Sequence, residues 1–185
     1  MQMTELNRAF RSTLDVLAKV QPHDLGAPTP CASWDVHALV NHFVGTARWW
    51  AATIAGDSEV ADEDYAAGDF VAAYEESISI ALAAFGSGGA LEKTVRLPFG
   101  EFPGAVLLGL AAMEQFTHGW DLARAIGDPT DLDPGLAADL LSQARLAIVD
   151  GLRGPDGEAL FGPAADAPAG AGGADQLAAF LGRQV

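Results

Sequence analysis

The chain has 185 residues, half of them apolar, which is enough for one domain with a substantial core. Its formal charge of −15 and scattered basic residues exclude nucleic acid and anionic membrane surfaces as expected partners, because both bind clustered Lys and Arg. Cys31 is the only cysteine, which excludes an internal disulfide and a Cys-rich zinc site. Without a signal-peptide pattern or an uncharged apolar run of about eighteen residues, a cytoplasmic protein is expected.

The first half of the chain predicts three helices. Apolar residues recur at helical spacing after Thr4, a suitable N-cap, until Pro22 is expected to end the first helix. A loop rich in Pro and Gly follows, and Ser33 is expected to cap a second helix that continues to Gly56. An acidic loop then leads to a third helix over roughly 69–85.

The second half predicts two further helices and a loop-rich tail. Residues 94–103 indicate a small hairpin or an extended connection. A fourth helix is expected over 103–126 and a fifth over about 134–151. Residues 154–173, rich in Gly, Ala and Pro, are expected to be mostly loop, ending in a short apolar turn at 177–181. Helices of this length joined by loops predict an all-α antiparallel bundle whose connectivity the sequence leaves open.

The fourth predicted helix carries ionisable residues on one stripe. At 100° per residue, Glu114, His118 and Asp121 fall on one line, while the other faces are apolar, which is typical of a buried helix. An unpaired buried charge is unfavourable, so Glu114 and His118 need a partner. Side chains four residues apart point at the same place, and zinc, iron and nickel accept both imidazole and carboxylate ligands. A divalent cation is one such partner, although pairs of this spacing also occur in helices without metal.

Other residues are candidates for the surroundings of that ion. His42, in an apolar stretch of the second helix, is either a hydrogen-bonded core residue or a third ligand. Asp121 and, more weakly, Asn41 are expected to orient an imidazole ring. Trp49, seven residues after His42, is expected near the ion. Cys31 precedes a helix start, but without a base partner it is interpreted as a packing residue rather than a nucleophile.

Four motifs carry a resemblance to a known family. They are Thr-Pro-Cys-Ala-Ser-Trp-Asp-Val at 29–36, Leu-Val-Asn-His at 39–42, Leu-Pro-Phe-Gly at 97–100 and Glu-Gln-Phe-Thr-His-Gly-Trp-Asp-Leu-Ala at 114–123. With these motifs, nearly the whole chain resembles the DinB-like superfamily. Within it, the chain is most similar to the actinobacterial branch that is related to the metal-binding domain of mycothiol-dependent maleylpyruvate isomerase.

The resemblance implies a four-helix bundle with a divalent ion held by His42, Glu114 and His118. Zinc is the favoured ion, with nickel or iron as alternatives. Three protein ligands leave one position open, as in catalytic sites. In the family this position takes a thiol such as mycothiol, which then attacks a small electrophile. The expected partners are therefore a small substrate and a thiol, with homodimer formation left open.

The expected organisation is a metal-binding bundle over 1–153, with the tail 154–185 packed on the same domain. The isomerase has a further C-terminal domain, whereas only about thirty residues follow the fifth predicted helix here. The arginine expected to bind the carboxylate of maleylpyruvate has no clear counterpart, so that isomerisation is not expected. Two alternatives are a non-catalytic metal- or ligand-binding stress-response protein, and a structural bundle whose buried polar residues pair with one another.

Overall fold

The computed structural model describes residues 3–57, 62–97, 100–155, 159 and 161–185, and this part of the chain is mostly helical. Its regular elements are six α-helices and one hairpin: α1 (Met3–Leu17), α2 (Val36–Ala55), α3 (Phe70–Phe85), β1 (Thr94–Leu97), β2 (Gly100–Pro103), α4 (Gly104–Ile126), α5 (Pro134–Ala147) and α6 (Gly173–Phe180). The predicted helical class is confirmed, and the four-helix bundle stays a prediction.

The first two helices begin elsewhere than predicted. α1 begins one residue before Thr4 and ends five residues before Pro22, which instead opens a short 3-10 turn. The cap of α2 is Asp35 rather than Ser33, because the Asp35 carboxylate accepts a hydrogen bond from the third backbone N–H of the helix, at 2.9 Å. At the other end, Gly56 closes α2 in the left-handed conformation, with φ of 96°, as its position predicted.

In the second half of the chain, the hairpin and the fourth helix are confirmed, and one helix was missed. β1 and β2 pair antiparallel, from Thr94 opposite Pro103 to Leu97 opposite Gly100, so 94–103 is a hairpin whose residues 98–99 lie outside the described residues. α5 ends at Ala147, earlier than predicted, and a 3-10 turn follows it. The predicted apolar turn at 177–181 belongs to α6, a helix that packs against α5 and α4.

The helices pack around α4. α1 and α2 each contact both α3 and α4, and α4 is buried on every side through its middle turns, as predicted from its composition. Gly119 of α4 lies directly against α1, where a Cβ would stand 3.1 Å from the Cα of Thr13, so only glycine allows this close approach. None of the described helices is both long and apolar enough to span a membrane.

Candidate metal centre

Three side chains from α2 and α4 converge at one point. His42 Nε2 lies 3.2 Å from Glu114 Oε1, and His118 Nε2 lies 3.9 Å from the same oxygen. One ligand atom from each of the three residues lies within 4.8 Å of the other two. Atoms bound to one zinc ion at about 2 Å are about 3–4 Å apart. The three predicted ligands are therefore spaced almost as closely as ligands of a single ion.

One oxygen of the Glu114 carboxylate lacks a hydrogen-bond partner in the part of the chain that the structure describes. Glu114 Oε1 is buried and has no hydrogen-bond partner among the described residues, since its contact with His42 lacks hydrogen-bond geometry. Glu114 Oε2, in contrast, accepts a hydrogen bond of 2.8 Å from the side chain of Gln115. An unsatisfied buried carboxylate oxygen is unfavourable. A cation between Glu114 Oε1 and the two imidazoles would satisfy it, so the residues fit a metal ion.

Gln115 fixes the orientation of the Glu114 carboxylate through a buried network. Its side-chain amide also donates to the backbone oxygen of Phe43 at 3.0 Å, and its Oε1 accepts from the hydroxyl of Tyr74 at 2.6 Å. Burial, and secondarily the charge of Glu114, raise the pKa of Tyr74 well above its ordinary value, so this hydroxyl remains a donor. Residues of α2, α3 and α4 thus hold the carboxylate in place.

His118 is oriented by Asp121 one turn later on α4. Asp121 is fully buried, and its Oδ2 lies 3.0 Å from His118 Nδ1. Burial alone would raise the pKa of Asp121, but Arg183 and the contact with His118 outweigh burial and lower the pKa to about 2. The ionised carboxylate accepts a hydrogen bond from Nδ1–H, which leaves Nε2 as the nitrogen with a free lone pair. That nitrogen faces Glu114.

The charge of Asp121 is paired by the C-terminal segment. Arg183 donates to Asp121 through Nη2 at 3.0 Å and through Nε at 3.2 Å, and the Cys31 thiol lies 3.4 Å from the same carboxylate. Burial and Asp121 raise the pKa of Cys31 to about 12, so it remains a thiol and a poor nucleophile, in line with its packing interpretation. Although Cys31, His118 and Asp121 also lie within 4.8 Å of one another, the guanidinium already occupies that carboxylate.

Two residues expected near the ion make their described contacts with other groups. The amide of Asn41 donates to Asp64 at 2.9 Å and accepts from the backbone of Ala66, so it holds the segment that precedes α3 rather than an imidazole of the centre. Trp49 packs its ring against Trp50, at 4.7 Å between ring centroids, and only Trp50 of this pair lines the cavity beside the centre. The roles expected of Asn41 and Trp49 beside the ion stay predictions, since the contacts described for them are with other groups.

Three residues join the centre that the sequence did not assign to it. Trp34 packs over His42 with 4.3 Å between ring centroids and lies 5.7 Å from the ring of His118. Gln115 and Arg183 hold the two carboxylates that flank His118. The sequence signal for Trp34 and for Gln115 was their place in the motifs at 29–36 and 114–123, whereas Arg183 carried no pattern that linked it to the stripe on α4.

A cavity of about 340 Å³ adjoins the centre. Glu114 and His118, two of the three candidate ligands, form part of its wall, together with Thr117 and Arg183. The rest of the wall is apolar and includes Trp50, Leu110, Met113, Ile148, Phe161 and Leu181. A small molecule in this cavity would therefore touch the candidate metal centre.

Comparison with known proteins places the chain in a family. The model of the family described as mycothiol maleylpyruvate isomerase N-terminal domain matches residues 6–123, which include all three candidate ligands and Asp121. Two proteins of Mycobacterium tuberculosis, Uncharacterized protein Rv0738 of strain H37Rv and Uncharacterized protein MT0763 of strain CDC 1551, are each 41% identical over 183 residues, covering 96% of this chain and 95% of the relative. No solved structure gave a significant match. The resemblance predicted from the motifs is confirmed: the chain belongs to the mycothiol maleylpyruvate isomerase N-terminal domain family.

Proposed function

We propose that the protein is a divalent-metal-dependent enzyme that uses a low-molecular-weight thiol of the mycothiol kind on a small electrophilic substrate. The observation that carries this proposal is the buried Glu114 Oε1, which has no hydrogen-bond partner among the described residues and lies 3.2 Å from His42 Nε2 and 3.9 Å from His118 Nε2. Imidazole and carboxylate ligands favour zinc, with nickel and iron as alternatives. Family membership supports the thiol, because the family is described by a mycothiol-dependent isomerase.

The residues of the chain prepare the site for this chemistry. When bound, the ion would lower the pKa of a thiol at its open position and so favour the nucleophilic thiolate at neutral pH. Gln115 directs one carboxylate oxygen of Glu114 towards the imidazoles, and Asp121 keeps the proton of His118 on Nδ1. Trp34 covers one face of His42. Orientation of ligands by such neighbours strengthens metal binding.

The proposal does not extend to isomerisation of maleylpyruvate. A substrate with two carboxylates needs cationic partners, and Arg183 is the cationic side chain in the cavity wall among the described residues. Its guanidinium is already paired with Asp121 through two nitrogens. A different electrophile therefore suits this chain better.

We also propose a domain arrangement and a cellular location for this enzyme. Helices α1–α4 would form a four-helix bundle within residues 1–153, because α1 and α2 each contact both α3 and α4. Residues 154–185 would pack on the same domain, since α6 contacts α4 and α5. The enzyme would act in the cytoplasm on small molecules, without nucleic-acid or membrane partners, in line with its charge of −15.

Metal analysis tests the centre directly. Protein purified without chelators is expected to contain about one equivalent of zinc or nickel, and His42→Ala or Glu114→Ala should lose it, because each removes one of three ligands. The matched control is His37→Ala, which removes an imidazole of the same helix that faces Asp64. The proposal would be contradicted if the wild-type protein contained no metal, or if His37→Ala lost as much metal as the ligand variants.

A turnover assay tests the enzymatic part. The metal-loaded protein, incubated with mycothiol and a panel of small electrophiles, is expected to consume thiol faster than the Glu114→Ala variant. Should one equivalent of metal be bound while thiol consumption stays at background for every electrophile, the protein binds metal without this catalysis.

A further inference from the structure

We propose that the cavity beside the metal centre binds a small, uncharged, mainly apolar molecule with one hydrogen-bond acceptor, which Trp50 recognises through its indole N–H. The role of this molecule as substrate rests on the proposed function. Its binding does not, because the side chains that select it are not candidate metal ligands.

The indole N–H of Trp50 lacks a hydrogen-bond acceptor among the described residues. Trp50 is only 6% exposed and lines the cavity, and its Nε1 is buried without a hydrogen-bond partner among the described residues. By contrast, the buried Trp120 donates its indole N–H to Asp175 at 2.8 Å. Buried indole N–H groups normally find a partner, since leaving one unsatisfied is unfavourable. A carbonyl or similar oxygen of a bound molecule would supply the acceptor that Trp50 lacks.

Thr117 and Arg183, the polar side chains of the wall that are not candidate metal ligands, are already engaged. The hydroxyl of Thr117 donates to the backbone oxygen of Met113 at 2.7 Å. In Arg183, Nε and Nη2 donate to Asp121, while Nη1 donates to the backbone oxygen of Leu181 at 3.3 Å. No cation in the described wall is left for an anionic ligand, and the carboxylate of Glu114 adds negative charge. The cavity therefore selects against carboxylates when no metal is bound.

The size and lining of the cavity set the remaining properties of its ligand. A volume of about 340 Å³ is at the lower end of small-molecule sites, which are roughly 300–1,000 Å³. Side chains such as Leu110, Met113, Ile148 and Phe161 make most of the wall apolar. One ring with a short substituent is therefore the expected scale of ligand, oriented by a single hydrogen bond in an otherwise apolar site.

Three probes with the same ring separate these properties: ethylbenzene, acetophenone and benzoate. Their dissociation constants would be measured by NMR titration of the full chain, both as purified and after chelator treatment. In the chelator-treated protein we expect acetophenone to bind at least about tenfold more tightly than benzoate. Trp50→Phe should weaken acetophenone about fivefold and leave ethylbenzene unchanged, because it removes one hydrogen bond and keeps an aromatic ring. The matched control Trp49→Phe should change neither the dissociation constant of acetophenone nor that of ethylbenzene.

A second measurement keeps the test decisive if Trp50→Phe fails to fold. In the wild-type protein, the indole N–H resonance of Trp50 should shift downfield with acetophenone and not with ethylbenzene. The inference is overturned if no probe binds, if benzoate binds as tightly as acetophenone without metal, or if Trp50→Phe weakens both neutral probes equally. If the probes bind as expected but the protein binds no metal, the proposed function is contradicted and this inference stands. If the protein binds metal but prefers benzoate after chelator treatment, this inference is contradicted and the proposed function stands.

Discussion

The two carboxylates that flank His118 are in opposite electrostatic situations. Asp121, on the Nδ1 side, is fully buried and receives hydrogen bonds from Arg183 as well as from the imidazole. Glu114, seven residues earlier on the same helix, faces Nε2 with a buried oxygen that has no hydrogen-bond partner among the described residues. Removing one partner of a paired buried charge is strongly destabilising, whereas a buried polar atom without a hydrogen-bond partner marks a position where binding can recover free energy. The Asp121 carboxylate therefore has its hydrogen-bond partners within the protein, whereas Glu114 Oε1 can still bind a ligand.

Asp121→Asn should produce the largest effect on stability. The substitution removes the charge partner of Arg183 and leaves a largely buried guanidinium uncompensated, which typically destabilises by about 3 kcal/mol. Urea unfolding of the metal-free protein measures the difference. The matched control is Asp128→Asn, which breaks the more exposed pair with Lys19 and should cost less than about 1 kcal/mol. If the two variants lost the same unfolding free energy, the buried pair of Asp121 and Arg183 would contribute no more to stability than the exposed pair.

The contribution of Asp121 should depend on pH. Its pKa is lowered from 3.8 to about 2 in the folded protein, so its ionised form stabilises the fold above pH 4, and this stabilisation is lost as the pH falls towards 2. A lowering of this size corresponds to about 2.5 kcal/mol. The difference in unfolding free energy between wild type and Asp121→Asn should therefore be constant near neutral pH and shrink by roughly that amount on acidification. A difference that stays constant down to pH 2 would contradict the lowered pKa.

Glu114→Gln should have the smallest effect on the metal-free protein. The amide retains an oxygen that can accept the hydrogen bond from Gln115, while the unsatisfied charge disappears, so the unfolding free energy should change by less than about 1 kcal/mol. Zinc should raise the melting temperature of wild type and not that of the variant, because a ligand that binds the native state stabilises it. If Glu114→Gln lowered the unfolding free energy as much as Asp121→Asn does, the two carboxylates would not differ in their contribution to stability.

The elements that the sequence predicted best are those with local signals. Gly56 and Gly127 close α2 and α4 in left-handed conformations that favour glycine, so both helix ends could be assigned from the sequence. α6 was missed because its surroundings are rich in Gly, Ala and Pro and resemble a loop. Its stability comes from burying residues such as Leu177 and Ala178 against the rest of the fold, which no local pattern reports.

The candidate centre was predictable where helical spacing determines position. Glu114, His118 and Asp121 lie on one stripe because α4 is a regular helix. Asn41, the neighbour of His42, points towards Asp64, because adjacent helical residues point about 100° apart. No local pattern reported that Trp49 packs against Trp50, the tryptophan of this pair that lines the cavity. Arg183 belongs to the centre only through tertiary packing.

The link between Arg183 and Asp121 has a consequence for protein engineering. The segment that the family model matches, residues 6–123, ends two positions beyond Asp121 and contains every candidate ligand. A fragment excised at that boundary would nevertheless leave the carboxylate of Asp121 without its guanidinium, which comes from sixty residues further along the chain. Anyone who grafts this module into another scaffold must therefore transplant a counter-charge along with the ligands.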